Sequence, residues 1–269
     1  MIQYPLKVQG VGTRVLDAGD GERVVVFIHG LSTRADRWRE TLQRFAGRGY
    51  RAIALDLPGH GLADKPADFD YTSPGLADYC LAALAELGVE RFDLVGTSLG
   101  GHVAALMTLR APRRVRSLHL VGALGIAPIS DAVGEAIRAS VRTVSPEGIR
   151  AKLQGVFHDQ AFVTEQLVRE ETLVNGADDT LAALCRLADY VATRLNQDLV
   201  AEPLLKLQDP PPLHLLWTDL DRVVPLEVGE RASQLLDQPL HVMRGVGHAP
   251  YVERPEEFVT TIIGFMDAA

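Results

Sequence analysis

Phe92-Asp93-Leu94-Val95-Gly96-Thr97-Ser98-Leu99-Gly100-Gly101 decides the reading of this chain. A short apolar strand runs into Gly96, a serine follows two positions later, and two more glycines open a helix rich in small residues such as Ala104 and Ala105. So sharp a strand-to-helix turn forces the serine into strained backbone angles, and a side chain at Gly96 or Gly100 would collide with its neighbours. The Ser98 hydroxyl is then held above a sheet, at the positive end of the next helix. The plain alternative is an ordinary glycine-rich turn, and only partners elsewhere in the chain decide between the two.

A serine hydroxyl is a poor nucleophile until a base takes its proton. The candidate base is His248, in Gly245-Val246-Gly247-His248-Ala249-Pro250, just after the strand-like run Leu240–Met243. The other histidines sit in turns, strands or helices, where structural roles are the default. A base of this kind needs a carboxylate to fix its tautomer and balance its charge. Trp217-Thr218-Asp219-Leu220-Asp221 offers two, Asp219 and Asp221. Asp221 is preferred because it lies in the loop and can turn toward His248, whereas Asp219 is almost at the strand end. Two backbone donors should face the developing negative charge. The N–H of Leu99, directly after the serine, and the N–H of Leu31, in the loop after an early strand, are the candidates. Ser32, Trp38, Phe157 and Tyr251 are candidate substrate contacts, with core packing an equal reading for each of the three aromatics.

Working outward, Val24–Ile28, Ala52–Leu55, Val115–Val121 and Leu213–Trp217 are further strands, spaced by helical patterns, which indicates a parallel sheet covered on both faces. Lys7–Ala18 is expected to add a hairpin at one edge. Ser73-Pro74 reads as a helix cap and first turn, and Arg254-Pro255-Glu256-Glu257 opens the last helix. Between Ile129 and Leu205 the alternation stops and only helical spacing remains. The chain therefore divides into an α/β core from 1–128 and 206–269, with a helical insertion at 129–205.

The 269 residues carry 35 acidic and 27 basic side chains, a net charge of −8. That balance disfavours a nucleic-acid partner. No apolar run of about 18 residues predicts a membrane span, and the first residues lack the pattern of a secretory signal. Cys80 and Cys185 lie far apart, read as buried free thiols, and suggest the reducing cytoplasm. Neither a metal nor an organic cofactor is expected. The expected partner is a small-molecule substrate; a homodimer is one open oligomeric state.

His29-Gly30, Asp56-Leu57-Pro58-Gly59-His60-Gly61, the Ser98 turn, Asp221–Pro225 and Gly247-His248 together resemble the α/β-hydrolase superfamily. The order Ser98, Asp221, His248 is the one expected of that fold. The resemblance implies a mostly parallel eight-stranded sheet, a helical cap inserted after the sixth strand, and an active site between cap and core. The cap, with Phe157-His158-Asp159-Gln160 and Val163-Thr164-Glu165, is similar to that of meta-cleavage-product carbon–carbon hydrolases. Three features depart from that group. Leu31-Ser32-Thr33-Arg34 stands where a glycine-rich stretch is expected, and Ala249 follows the histidine where an aromatic is expected. The expected cap arginine has no counterpart in place: Arg169 is only near the position, and Glu171 falls on it. The expected activity is hydrolysis of a small carboxylic ester, lactone or thioester through an acyl-enzyme. The alternatives are carbon–carbon hydrolysis of a dienoate and a non-catalytic ligand receptor.

Overall fold

A computed structural model describes residues 1–268. Eight strands form one sheet: β1 (Ile2–Val8), β2 (Val11–Ala18), β3 (Val24–Ile28), β4 (Arg51–Leu55), β5 (Phe92–Thr97), β6 (Val115–Val121), β7 (Leu213–Thr218) and β8 (Leu240–Met243). Their spatial order is β1-β2-β4-β3-β5-β6-β7-β8. β1 and β2 pair antiparallel, as do β2 and β4, and every other pair is parallel. The edge hairpin starts earlier than expected, at Ile2, because all of Ile2–Val8 finds partners in β2.

The helices in chain order are α1 (Arg39–Ala46), α2 (Ser73–Glu86), α3 (Leu99–Arg110), α4 (Asp131–Arg142), α5 (Pro146–Val156), α6 (Glu165–Asn175), α7 (Asp178–Thr193), α8 (Ala201–Leu205), α9 (Leu226–Leu236), α10 (Pro250–Glu253) and α11 (Pro255–Asp267). α2 is capped by Thr72 and not Ser73: the Thr72 hydroxyl accepts the Gly75 N–H at 3.1 Å. Strand alternation splits the core in two. Val26, Ile28, Ile53, Leu55 and Leu94 pack with α2, α3 and α9 on one face. Val25, Phe27, Ala52, Ala54 and Val95 pack with α1 and α11 on the other. Both faces are covered, so the central strands read as unbroken apolar runs. α4 to α8 lie between β6 and β7.

This order positions the site. The chain passes from β3 outward to β4, then returns across β3 to build β5 and β6. Adjacent β3 and β5 therefore lead to connections on opposite sides, and a crevice opens beyond their carboxyl ends. His29-Gly30 leaves one of those ends and Ser98 leaves the other.

Cys80 is buried as expected, whereas Cys185 on α7 is only half-buried. His29, His60, His102 and His119 are buried, and burial lowers the proton affinity of each imidazole; that of His60 falls to about 3. The unfolded chain, with histidines near 6.5, takes up protons that the folded chain refuses. Stability from this source is complete above about pH 6.5 and falls below it by about 1.4 kcal/mol per pH unit for each such ring, down to its folded value. Thermal melts should give a clearly lower Tm at pH 5 than at pH 7. Equal values would contradict the burial of these rings in neutral form.

Candidate active site

Ser98 stands between β5 and α3 with φ 54° and ψ −125°. Positive φ is rare for a residue with a side chain and costs about 1–3 kcal/mol. The turn is held from three sides: Ser98 N–H donates to Val121 O at 3.0 Å, and Ser98 O accepts from Gly101 N–H and Leu124 N–H. Its glycines are steric necessities. A Cβ at Gly96 would lie 2.3 Å from Gly100 O, and one at Gly100 would lie 2.4 Å from His29 O. The second figure also shows how closely α3 abuts the end of β3. A Cβ at Gly30 would meet Ser98 Cβ at 3.1 Å, so the loop after β3 walls the serine.

Asp221 and His248 meet as the sequence reading expected. His248 Nδ1 and Asp221 Oδ2 are 2.7 Å apart, and both side chains are buried. The other oxygen, Asp221 Oδ1, accepts the N–H groups of Val223 and Val224, each at 2.8 Å. Asp219 is used otherwise, accepting from Gly245 N–H at 2.6 Å. The pair leans over the end of β6. A Cβ at Gly122 would lie 3.2 Å from Asp221 Oδ2 and 3.3 Å from His248 Cε1. Ser98 borders the same strand end through its backbone bond to Val121 O. Among the described residues the Ser98 hydroxyl makes no hydrogen bond to His248. The N–H groups of Leu31 and Leu99 have no acceptor among the described residues.

The cap is stitched to the histidine loop. His248 N–H donates to Val156 O at 2.8 Å, at the end of α5. Glu253 bridges the same seam, accepting from Gly247 N–H and Asp159 N–H at 2.8 Å each. From below, the Thr218 hydroxyl donates to Gly247 O at 2.8 Å.

A buried charge cluster that the sequence did not announce forms a second seam. Glu171 on α6 is 3% exposed. Its Oε1 accepts from Arg34 and Arg37, each at 2.8 Å, and its Oε2 accepts from Asn175 at 3.0 Å. Arg34 continues to Asp36, and Asp36 to Arg14, whose guanidinium also grips Asp56. Arginine contacts hold the Asp36 carboxyl down at about 2 despite its burial. Cations thus come from the core and the carboxylate from the cap, while Arg169 is exposed. The Arg34, Arg37 spacing and the Glu170-Glu171 pair were the available signals, but partners 134 and 137 positions apart leave no local pattern.

The expected substrate contacts separate. Trp38 is a correction: it is 0% exposed, packs tilted against Tyr251 with ring centroids 4.0 Å apart and against Phe27 at 5.1 Å, and belongs to the core. A large aromatic beside an active-site loop is equally good core material, and the apolar face beneath β3 claimed it. Tyr251 is 4% exposed, and burial pushes its phenol up to about 12. Phe157 is 1% exposed, between Phe162 and the Arg37 guanidinium. Ser32 has φ 56° and a buried hydroxyl without a partner, next to Leu31.

Among the described residues, no helix is long and apolar enough to cross a membrane. The chain is 29% identical over 268 residues to a 2-hydroxy-6-oxononadienedioate/2-hydroxy-6-oxononatrienedioate hydrolase of Paraburkholderia phymatum, covering 93% of this chain and 89% of that one. A solved meta-cleavage product hydrolase from Pseudomonas fluorescens is 25% identical with a TM-score of 0.85, covering 98% of this chain and 97% of that one. A solved bacterial membrane phospholipase A is 28% identical with a TM-score of 0.84, covering 99% and 86%. The model of the alpha/beta hydrolase family matches residues 25–261. With that match over an eight-stranded, mostly parallel sheet, the chain belongs to the alpha/beta hydrolase family.

Proposed function

We propose that this chain is a serine hydrolase in which Ser98 is the nucleophile, His248 the base and Asp221 its orienting acid. The observation that carries the reading is the Asp221–His248 bond of 2.7 Å, set over the same strand end as a serine at positive φ. His248 takes the Ser98 proton as the hydroxyl attacks a carbonyl carbon. The N–H groups of Leu31 and Leu99 receive the oxyanion. His248 then gives the proton to the leaving atom, and water, activated by His248, frees the acid.

For the substrate, the named relatives favour carbon–carbon hydrolysis of a meta-cleavage-type dienoate, a vinylogous 1,5-diketone. The leaving atom is then the dienol carbon, which His248 protonates. Ester hydrolysis is the second reading, favoured by the phospholipase neighbour and by a buried glutamate at the cap position where a cation was expected. A side-by-side assay decides: kcat/KM for a coloured ring-fission dienoate should exceed that for a p-nitrophenyl ester by at least about a hundredfold, some 2.7 kcal/mol of differential transition-state binding. The reverse ratio would make the chain an esterase. Tight binding without turnover of either compound would leave a ligand receptor.

A further inference from the structure

We propose that His29 and Thr33 are positioning residues that act through a single peptide group, fixing the direction in which the Leu31 N–H points toward the Ser98 site. The inference rests on the reading of Ser98 as nucleophile and adds residues outside the triad and outside the two amide donors.

The hydrogen bonds assign the tautomer. His29 Nε2 accepts the Leu57 N–H at 3.0 Å, so that nitrogen carries no proton. The proton therefore sits on Nδ1, which donates to Gly30 O at 2.9 Å. The Thr33 hydroxyl donates to the same carbonyl at 3.2 Å. Gly30 C=O and Leu31 N–H are opposite ends of one planar trans peptide, so two donors gripping the oxygen fix where the N–H is aimed. The grip also polarises the amide and makes its N–H a better donor, by about 10–30%. This peptide is beside the serine, since a Cβ at Gly30 would lie 3.6 Å from Ser98 Oγ.

The environment keeps the ring in the form required. His29 is 1% exposed, packed edge-on against His60 at 5.0 Å between centroids, and burial lowers its proton affinity. A doubly protonated ring would set N–H against the N–H of Leu57.

The competing account is that His29 only ties the loop after β3 to the loop after β4. The test uses His29→Leu, His29→Gln and Thr33→Val. Thr33→Val is nearly isosteric and removes only the hydroxyl that donates to Gly30 O, so it guards against a His29 variant that fails to fold. Three quantities are read: the rate of Ser98 labelling by a 4-nitrophenyl phosphonate, kcat and KM on a turned-over substrate, and affinity for a trifluoromethyl ketone, which forms an oxyanion, against that for a product carboxylate, which does not. His29→Leu should slow labelling and kcat by about tenfold to a hundredfold, below the 10²–10³ typical of deleting a donor outright, and Thr33→Val by about threefold to tenfold. KM and product affinity should stay within about twofold, while ketone affinity falls by the same factor as kcat. His29→Gln, whose amide can both accept from Leu57 and donate to Gly30, should recover most of the rate.

Wild-type labelling and ketone affinity in folded Thr33→Val and His29→Leu would overturn the proposal, as would parallel losses of ketone and product affinity. Failure of the underlying reading looks different: the unaltered protein would not be labelled at Ser98, or Ser98→Ala would still be labelled.

Discussion

Replacing Ser98 with alanine should lower turnover by roughly 10⁴–10⁶-fold and leave the melting temperature unchanged within a degree or so. The chemistry loses its only covalent partner, while the fold loses one hydroxyl that makes no hydrogen bond among the described residues. Alanine keeps the strain at φ 54°, so no stability is released. Ser98→Gly is the contrasting variant. Glycine occupies positive φ without a steric penalty, so it should raise Tm while abolishing turnover equally. Calorimetry and single-turnover assays on the pair separate strain from reactivity. Substantial activity in Ser98→Ala would place the nucleophile elsewhere.

Asp221→Asn should reduce kcat by about 10⁴-fold with little change in structure. The backbone donors explain why. Val223 and Val224 both point N–H groups at Oδ1, so an asparagine seats its carbonyl oxygen there. Its NH₂ is then left facing His248 Nδ1, where a carboxylate had accepted. The imidazole must present Nδ1 as acceptor and carry its proton on Nε2, and the nitrogen facing the serine can no longer take a proton. Steady-state kinetics together with imidazole ¹⁵N shifts would check both halves of this expectation. A loss below about tenfold would mean that Asp221 does not set the tautomer.

The Ser98 turn was legible because its geometry leaves few residue choices. Gly96 and Gly100 are each pressed against backbone that tolerates no Cβ, so the chemistry of the turn is written in its composition. The preference for Asp221 over Asp219 followed from loop position alone, and the two carboxylates do take different partners, an imidazole and a backbone amide. Trp38 could be read either way because an aromatic near a site and an aromatic in a core have the same local signature, and the structure puts it in the core. Glu171 and its arginines were invisible for another reason. Whether a charged residue is exposed or buried depends on what folds against it, and its partners come from a different layer of the molecule. The role argued for His29 is likewise a property of one peptide plane, and spacing carries no trace of it.

The hydrogen bond from His248 N–H to Val156 O makes the roof and the proton-carrier share one joint. On the proposed reading, any outward displacement of α5 has either to break that bond or to carry the main chain of the base along with it.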